Sequence, residues 1–213
     1  MTWEARAEAA IARYRGGEAR SADQRQLTQL ANAAWAAGLS LLMAGRSDEA
    51  AEWLRRAAAR YRESWDEAPP DSWGRPIGTA KALLLAGDDA SGAATWALDA
   101  GAVESQSPVG RYAGALALLV LGRDEEARRL ALTLRDRDDF PRDVADALTT
   151  IAAGDRSGYL VAVEDVLDSF ESRADFLEDV PVADTVLVLQ LLADARGLAV
   201  DLPASERLPR SGS

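Results

Sequence analysis

The chain contains neither cysteine nor histidine. This excludes disulfides, thiol redox chemistry, Ser-His-Asp and Cys-His catalysis, and zinc sites built on those ligands. Aromatic residues make up only 6% of the sequence, and lysine occurs once, at Lys81. Acid–base chemistry is left to carboxylates, that lysine, arginines, hydroxyls and tyrosines. There is no Gly-x-x-x-x-Gly-Lys phosphate loop, and no Gly-x-Gly-x-x-Gly follows a strand pattern. The first residues (MTWEARAEAA) are acidic and alanine-rich, without the basic region and apolar core of a signal peptide. The longest apolar stretch, residues 182–193, is interrupted by Asp184 and Gln190 and is too short to span a membrane. Together these features predict a cytoplasmic protein with no membrane partner, no cofactor and no metal.

Alanine is what the sequence has in excess, at 44 of 213 residues, within a hydrophobic fraction of 48%. A surplus of the best helix former, with few β-branched or aromatic residues, predicts an all-α fold. The length favours one domain, placed at residues 1–200, with an extended tail at 201–213. Acidic residues outnumber basic ones 35 to 24, a net charge of −11. Such a balance disfavours DNA, RNA and anionic membranes, and it suits either solubility or a basic partner.

Apolar periodicity gives helix after helix. Residues 2–15 are expected to stop at Gly16-Gly17, and a second helix to open at Ser21 with Gln24 three residues on, a capping-box spacing. Leu27, Leu30, Ala31, Ala34, Gly38, Leu41 and Leu42 then share one face. Gly45 closes that helix, and Ser47, Asp48 and Glu49 open a third, with Ala50, Trp53, Leu54, Ala57 and Tyr61 on its apolar side. The turn recurs: LLMAGRSDEA, LLLAGDDASGA, LLVLGRDEEA and TIAAGDRSGY each join an apolar helix end to a glycine and then to a polar opening. Gly45, Gly87, Gly122 and Gly154 are separated by 42, 35 and 32 residues, the period of stacked helical hairpins. The breaks at 66–78 and 99–110 join successive hairpins, and Pro141 marks the start of a helix after the break at 135–143. Residues 182–195, apolar almost all round, are expected to form the most buried helix. The last residues, from Ser211, are expected to fray.

Within residues 31–62, Gly38, Leu41, Gly45, Asp48-Glu49-Ala50, Leu54 and Ala57 stand as in a tetratricopeptide repeat, and the segment resembles that family. The resemblance implies that small residues let the two helices approach while Leu54 fills the groove between them. A partial copy at 111–134 keeps Ala115, Leu118, Gly122 and Ala127 but has Ala131 where a bulky residue is usual. The expected architecture is a right-handed, tetratricopeptide-like α-solenoid of four to five hairpins. The last third, YLVAVEDVLDSFESR followed by LADARGLAVDLPASERLPR with Arg196-Gly197 and Leu208-Pro209, is similar to the ends of the immunity 49 family. Those proteins are all-helical, and the similarity implies neutralisation of a cognate toxin.

Candidate partner-binding residues are aromatic and arginine pairs at the breaks, since Trp, Tyr and Arg dominate interface hot spots. They are Trp65, Trp73 and Arg75 around the proline-rich connection, Arg111 and Tyr112 after the second, and Asp139 with Phe140 ahead of Pro141. Trp73→Ala combined with Arg75→Ala is expected to impair binding and leave melting unchanged. Trp35 and Trp53 are expected in the core. The carboxylates Glu164, Asp168, Glu171, Asp175, Glu178 and Asp179 could share protons or hold a hard metal, or form a solvated face. The resulting expectation is a non-enzymatic protein-binding module, in its specific form an immunity-type protein against a basic toxin domain. The alternatives are a scaffold binding peptide segments and, third, a carboxylate- or metal-dependent enzyme.

Overall fold

A computed structural model describes residues 1–18 and 23–210. Among them there are ten α-helices, one short 3-10 turn and no strand. The helices are α1 (Trp3–Glu18), α2 (Gln24–Met43), α3 (Ser47–Glu63), α4 (Gly74–Leu85), α5 (Ser91–Asp99), α6 (Pro108–Val120), α7 (Asp124–Arg135), α8 (Arg142–Ala153), α9 (Arg156–Glu171) and α10 (Asp184–Asp194), with the 3-10 turn at Leu177–Asp179. The all-α expectation holds.

The chain divides into two compact units. The first comprises Met1–Asp88, Arg173–Asp184 and Ala204–Ser213; the second comprises Asp89–Ser172 and Thr185–Pro203. In the first, α1 packs on α2, α2 on α3 and α3 on α4, and the 3-10 turn lies against α2. Because α2 meets three neighbours, it is buried almost all round and not on one face only: Ala33, Trp35, Ala36, Ala37 and Leu39 are covered as well as Leu30, Ala31, Ala34 and Leu41. In the second unit α5 to α9 likewise pack each on the next. Trp35 and Trp53 lie in the core, and the apolar side expected for α3 is buried in full.

Gly45, Gly87, Gly122 and Gly154 all adopt left-handed angles, with φ between +68° and +74°. At each, the amide after the glycine reaches back to a carbonyl five residues earlier, as from Arg46 to Leu41 and from Arg123 to Leu118. This closure satisfies the orphan carbonyls of the preceding helix and needs a residue without the Cβ penalty at positive φ. Gly101 and Gly197 make the same turn after α5 and α10.

Three expectations are corrected. Helix α1 runs through Gly16-Gly17 to Glu18, and the Gln26 side-chain amide donates to the Gly17 carbonyl. Helix α2 is capped by Asp23, whose carboxylate accepts from the Gln26 amide; Ser21 lies outside the described residues, as do those from Ser211. Helix α10 begins only at Asp184 and leaves Leu191 41% exposed, so it is not the most buried helix; α6 covers eight of its thirteen residues.

The interlock inside the hairpins is specific. A Cβ on Gly38 would lie 2.7 Å from Leu54 Cγ, and one on Gly114 would lie 3.0 Å from Leu130 Cδ2. Leu130, not Ala131, therefore fills the groove of the α6–α7 hairpin, which explains the small residue at 131. Arg46 forks onto Glu49 and Arg123 onto Glu126 in the same place of each hairpin.

Candidate functional site

The residues expected to contact a partner fall into two clusters, one in each unit. In the first unit the Trp65 and Trp73 rings meet at 5.8 Å, tilted by 47°. Trp73 is buried at 6% exposure, and its indole N–H donates to Asp71 Oδ1 at 3.0 Å. Asp71 itself takes a left-handed φ of 60° to place that oxygen. Arg75 is half-buried, with Nε on Ser64 Oγ at 2.9 Å and Nη2 on Gln24 Oε1 and Thr28 Oγ1. The guanidinium thus pins α4 to the end of α3 and the start of α2.

This geometry reverses the expectation for Trp73→Ala with Arg75→Ala. Removing a buried indole costs about 3–5 kcal/mol, and unmaking the Arg75 bonds adds about 1–2 kcal/mol. The double variant is expected to unfold at markedly lower urea, read from the shift in midpoint by far-ultraviolet dichroism. An unchanged midpoint would return both residues to the surface role.

The second cluster differs in exposure. Tyr112, in the second turn of α6, and Phe140, in the α7–α8 connection, are half-exposed and meet at 5.6 Å with a 45° tilt. Val109, one turn before Tyr112 on the same helix, is 43% exposed. Arg111 Nε donates to the Ser105 carbonyl at 3.0 Å and ties the preceding loop to the helix start. Arg137 forks onto both oxygens of Asp139 at 2.7 and 2.8 Å, and that pairing holds the Asp139 carboxyl below the ordinary carboxylate range.

Sequence reasoning missed a buried polar cluster in the first unit. The sole lysine, Lys81 of α4, is 7% exposed, and its Nζ sits 2.5 Å from Asp184 Oδ2. Close by, the Tyr61 hydroxyl donates to Asn32 Oδ1 at 2.8 Å. Burial pushes the Tyr61 phenol well above its ordinary range, helped by the negative charges of Asp184 and Glu178. Arg13 reaches Glu178, and Arg6 Nη1 donates to the Asp179 carbonyl, so α1 grips the 3-10 turn as α4 grips Asp184. Glu178 and Asp179 both have φ of 56°, a conformation L-residues hold only when their surroundings fix it. No spacing in the sequence signals a pair 103 residues apart; the one available hint was a single lysine in an arginine-rich chain.

The carboxylates of the third alternative are not gathered. Glu164, Asp168 and Glu171 ride on α9 in the second unit, whereas Asp175, Glu178 and Asp179 belong to the first. Among the described residues no group of three or more acidic side chains is placed to hold a metal ion. An open cavity of about 860 Å³ in the first unit is lined by Trp3, Arg6, Leu42, Pro181, Glu206 and Leu208 among others. Its charges are of both signs, Glu4 and Glu206 against Arg6 and Arg210. In the tail segment, Arg196 donates to the Leu119 carbonyl and to Asp124, fastening the end of α10 to the α6–α7 turn. Residues 198–205 then run without helix. Among the described residues no helix is long and apolar enough to cross a membrane.

Comparison with protein-family models, with curated proteins and with solved structures finds no match.

Proposed function

We propose that this chain is a non-enzymatic protein-binding module: a tetratricopeptide-like solenoid that, in its specific form, acts as an immunity-type protein against a basic toxin domain. The observation that carries the reading is the repeated hairpin. The pairs Gly38/Leu54 and Gly114/Leu130 interlock at one spacing, next to identical arginine–glutamate forks and identical glycine turns. Repetition of one hairpin builds extended faces suited to polypeptides, and a net charge of −11 favours capture of a basic one. The tail pattern around Arg196-Gly197 supplies the immunity form of the proposal.

Affinity capture from the source cells followed by reconstitution with the isolated partner tests it. A basic protein that binds in defined stoichiometry, with an association rate falling as salt is raised, is the expected result. Several unrelated peptide-bearing proteins from one assembly would favour the scaffold alternative. Absence of any protein partner, with turnover of a small molecule by the purified chain, would overturn the reading.

A further inference from the structure

The net charge is unevenly shared between the units. The second holds 18 acidic residues against 9 basic ones, and the first 17 against 15. Nearly all of the excess negative charge therefore belongs to the unit that carries the half-exposed ring pair. Within the α7–α8 connection the basic residues are already engaged: Arg137 with Asp139, and Arg135 and Arg142 with Asp146. Asp136 and Asp138 are exposed, and among the described residues neither is joined in an ion pair. Glu104 is exposed on the loop that Arg111 fastens to α6.

We propose that the first turns of α6 together with the α7–α8 connection receive a basic polypeptide segment bearing an apolar side chain. Val109, Tyr112 and Phe140 form its anchor, and Glu104, Asp136 and Asp138 its charged rim. This rests on the protein-binding reading above and adds where the partner docks and what its chemistry is. The anchor is local: the Phe140 ring lies 5.6 Å from that of Tyr112, and Val109 stands three residues before Tyr112 on α6, the spacing of neighbours on one helix face. The anchor is also held in place. Pro108 opens α6, Arg111 clasps the loop, and the Arg137–Asp139 fork fixes the residue before Phe140. A fixed aromatic anchor loses little freedom on binding, and exposed carboxylates around it select positive charge. Arg111 acts here as a positioning residue, since its Nε is turned to the loop.

The test uses the full chain labelled with 15N and short synthetic peptides rich in arginine and lysine around one leucine, with glutamate-for-arginine counterparts as controls. The basic peptides should shift amides at 104–112 and 136–140 before any others, and the acidic controls should shift none. Val109→Ser, which removes the apolar contact without adding charge, should weaken binding about tenfold or more without altering melting, and Phe140→Ser should do the same. Asp136→Asn with Asp138→Asn should slow association and flatten its salt dependence. Shifts scattered over the whole acidic surface, shifts centred elsewhere, no binding, or affinity unchanged in Val109→Ser would each overturn the proposal. Should a captured native partner bind wild type and Val109→Ser equally, the protein-binding reading stands and this face is not its site. Failure to find any partner strikes the reading itself.

Discussion

Gly38→Leu is expected to abolish cooperative folding of the first unit. A Cβ at this position would lie 2.7 Å from Leu54 Cγ, 2.8 Å from Leu54 Cδ2 and 3.3 Å from the Ala50 carbonyl oxygen. Leu54 is completely buried and cannot swing aside, and the carbonyl belongs to the backbone of α3. Any side chain larger than hydrogen must therefore push α2 away from α3 and open the contact that both helices bury. Alanine alone would cost about 1–3 kcal/mol in overpacking, less about 1 kcal/mol regained in helix propensity. Leucine adds three further carbons to the same gap, and the hairpin cannot close around them. Trp35 and Trp53 flank the contact and report on it by fluorescence during urea unfolding. A control with the opposite sign is at hand. A Cβ on Gly16 would meet nothing within 4 Å, and the residue is helical, so Gly16→Ala should stabilise the protein by about 0.5–1 kcal/mol. A sharp, wild-type-like transition in Gly38→Leu would show that α2 and α3 do not meet as described.

The same contrast shows what the sequence could and could not convey. The glycine turns were legible because a left-handed residue after an apolar helix end is a local requirement, satisfied by one residue type. Gly16-Gly17 carried the same signature and yet lies inside a helix. There, packing of α1 on α2 and the Gln26 bond to the Gly17 carbonyl offset the low propensity of two glycines. Propensity is a weak prior against tertiary contact. The shift from Ala131 to Leu130 has a similar cause: alignment on Gly122 fixes the turn, but groove filling depends on which small residue of α6 faces α7, and that is Gly114. Of the candidate site, the ring pair Tyr112–Phe140 was foreseen as two separate aromatic positions, and the fold brought them together. Trp73 was placed at the right connection, but a tryptophan beside prolines reads alike whether it is pinned or displayed. Only its 6% exposure and its bond to Asp71 decide.

Lys81 and Asp184 give the other large effect, and its sign depends on which partner is removed. Lys81 Nζ and Asp184 Oδ2 are 2.5 Å apart, with side-chain exposures of 9% and 20%. Asp184 is also the first residue of α10, where the helix dipole favours a carboxylate. Asp184→Ala removes the charge that faces the ammonium and leaves Lys81 covered, an expected loss of about 3–5 kcal/mol. Lys81→Met combined with Asp184→Leu removes both charges, and apolar replacement of a buried pair is neutral to stabilising by about 1–4 kcal/mol. The double variant should therefore be the more stable of the two, and a thermodynamic cycle including Lys81→Met should show strong coupling. Tyr61 supplies an independent readout, because the Asp184 charge is one of the causes that raise its phenol. Tyrosinate absorbance should develop at lower pH in Asp184→Ala than in wild type. The sign for stability follows from the same shift: a phenol raised in the folded state contributes fully below the unfolded value of about 10 and loses its contribution as pH rises through the folded one. Wild type should accordingly weaken in alkali, and Tyr61→Phe should lose part of that dependence. If Asp184→Ala and the double variant melt alike and Tyr61 titrates unchanged, the pair does not hold Asp184 to α4 within the first unit.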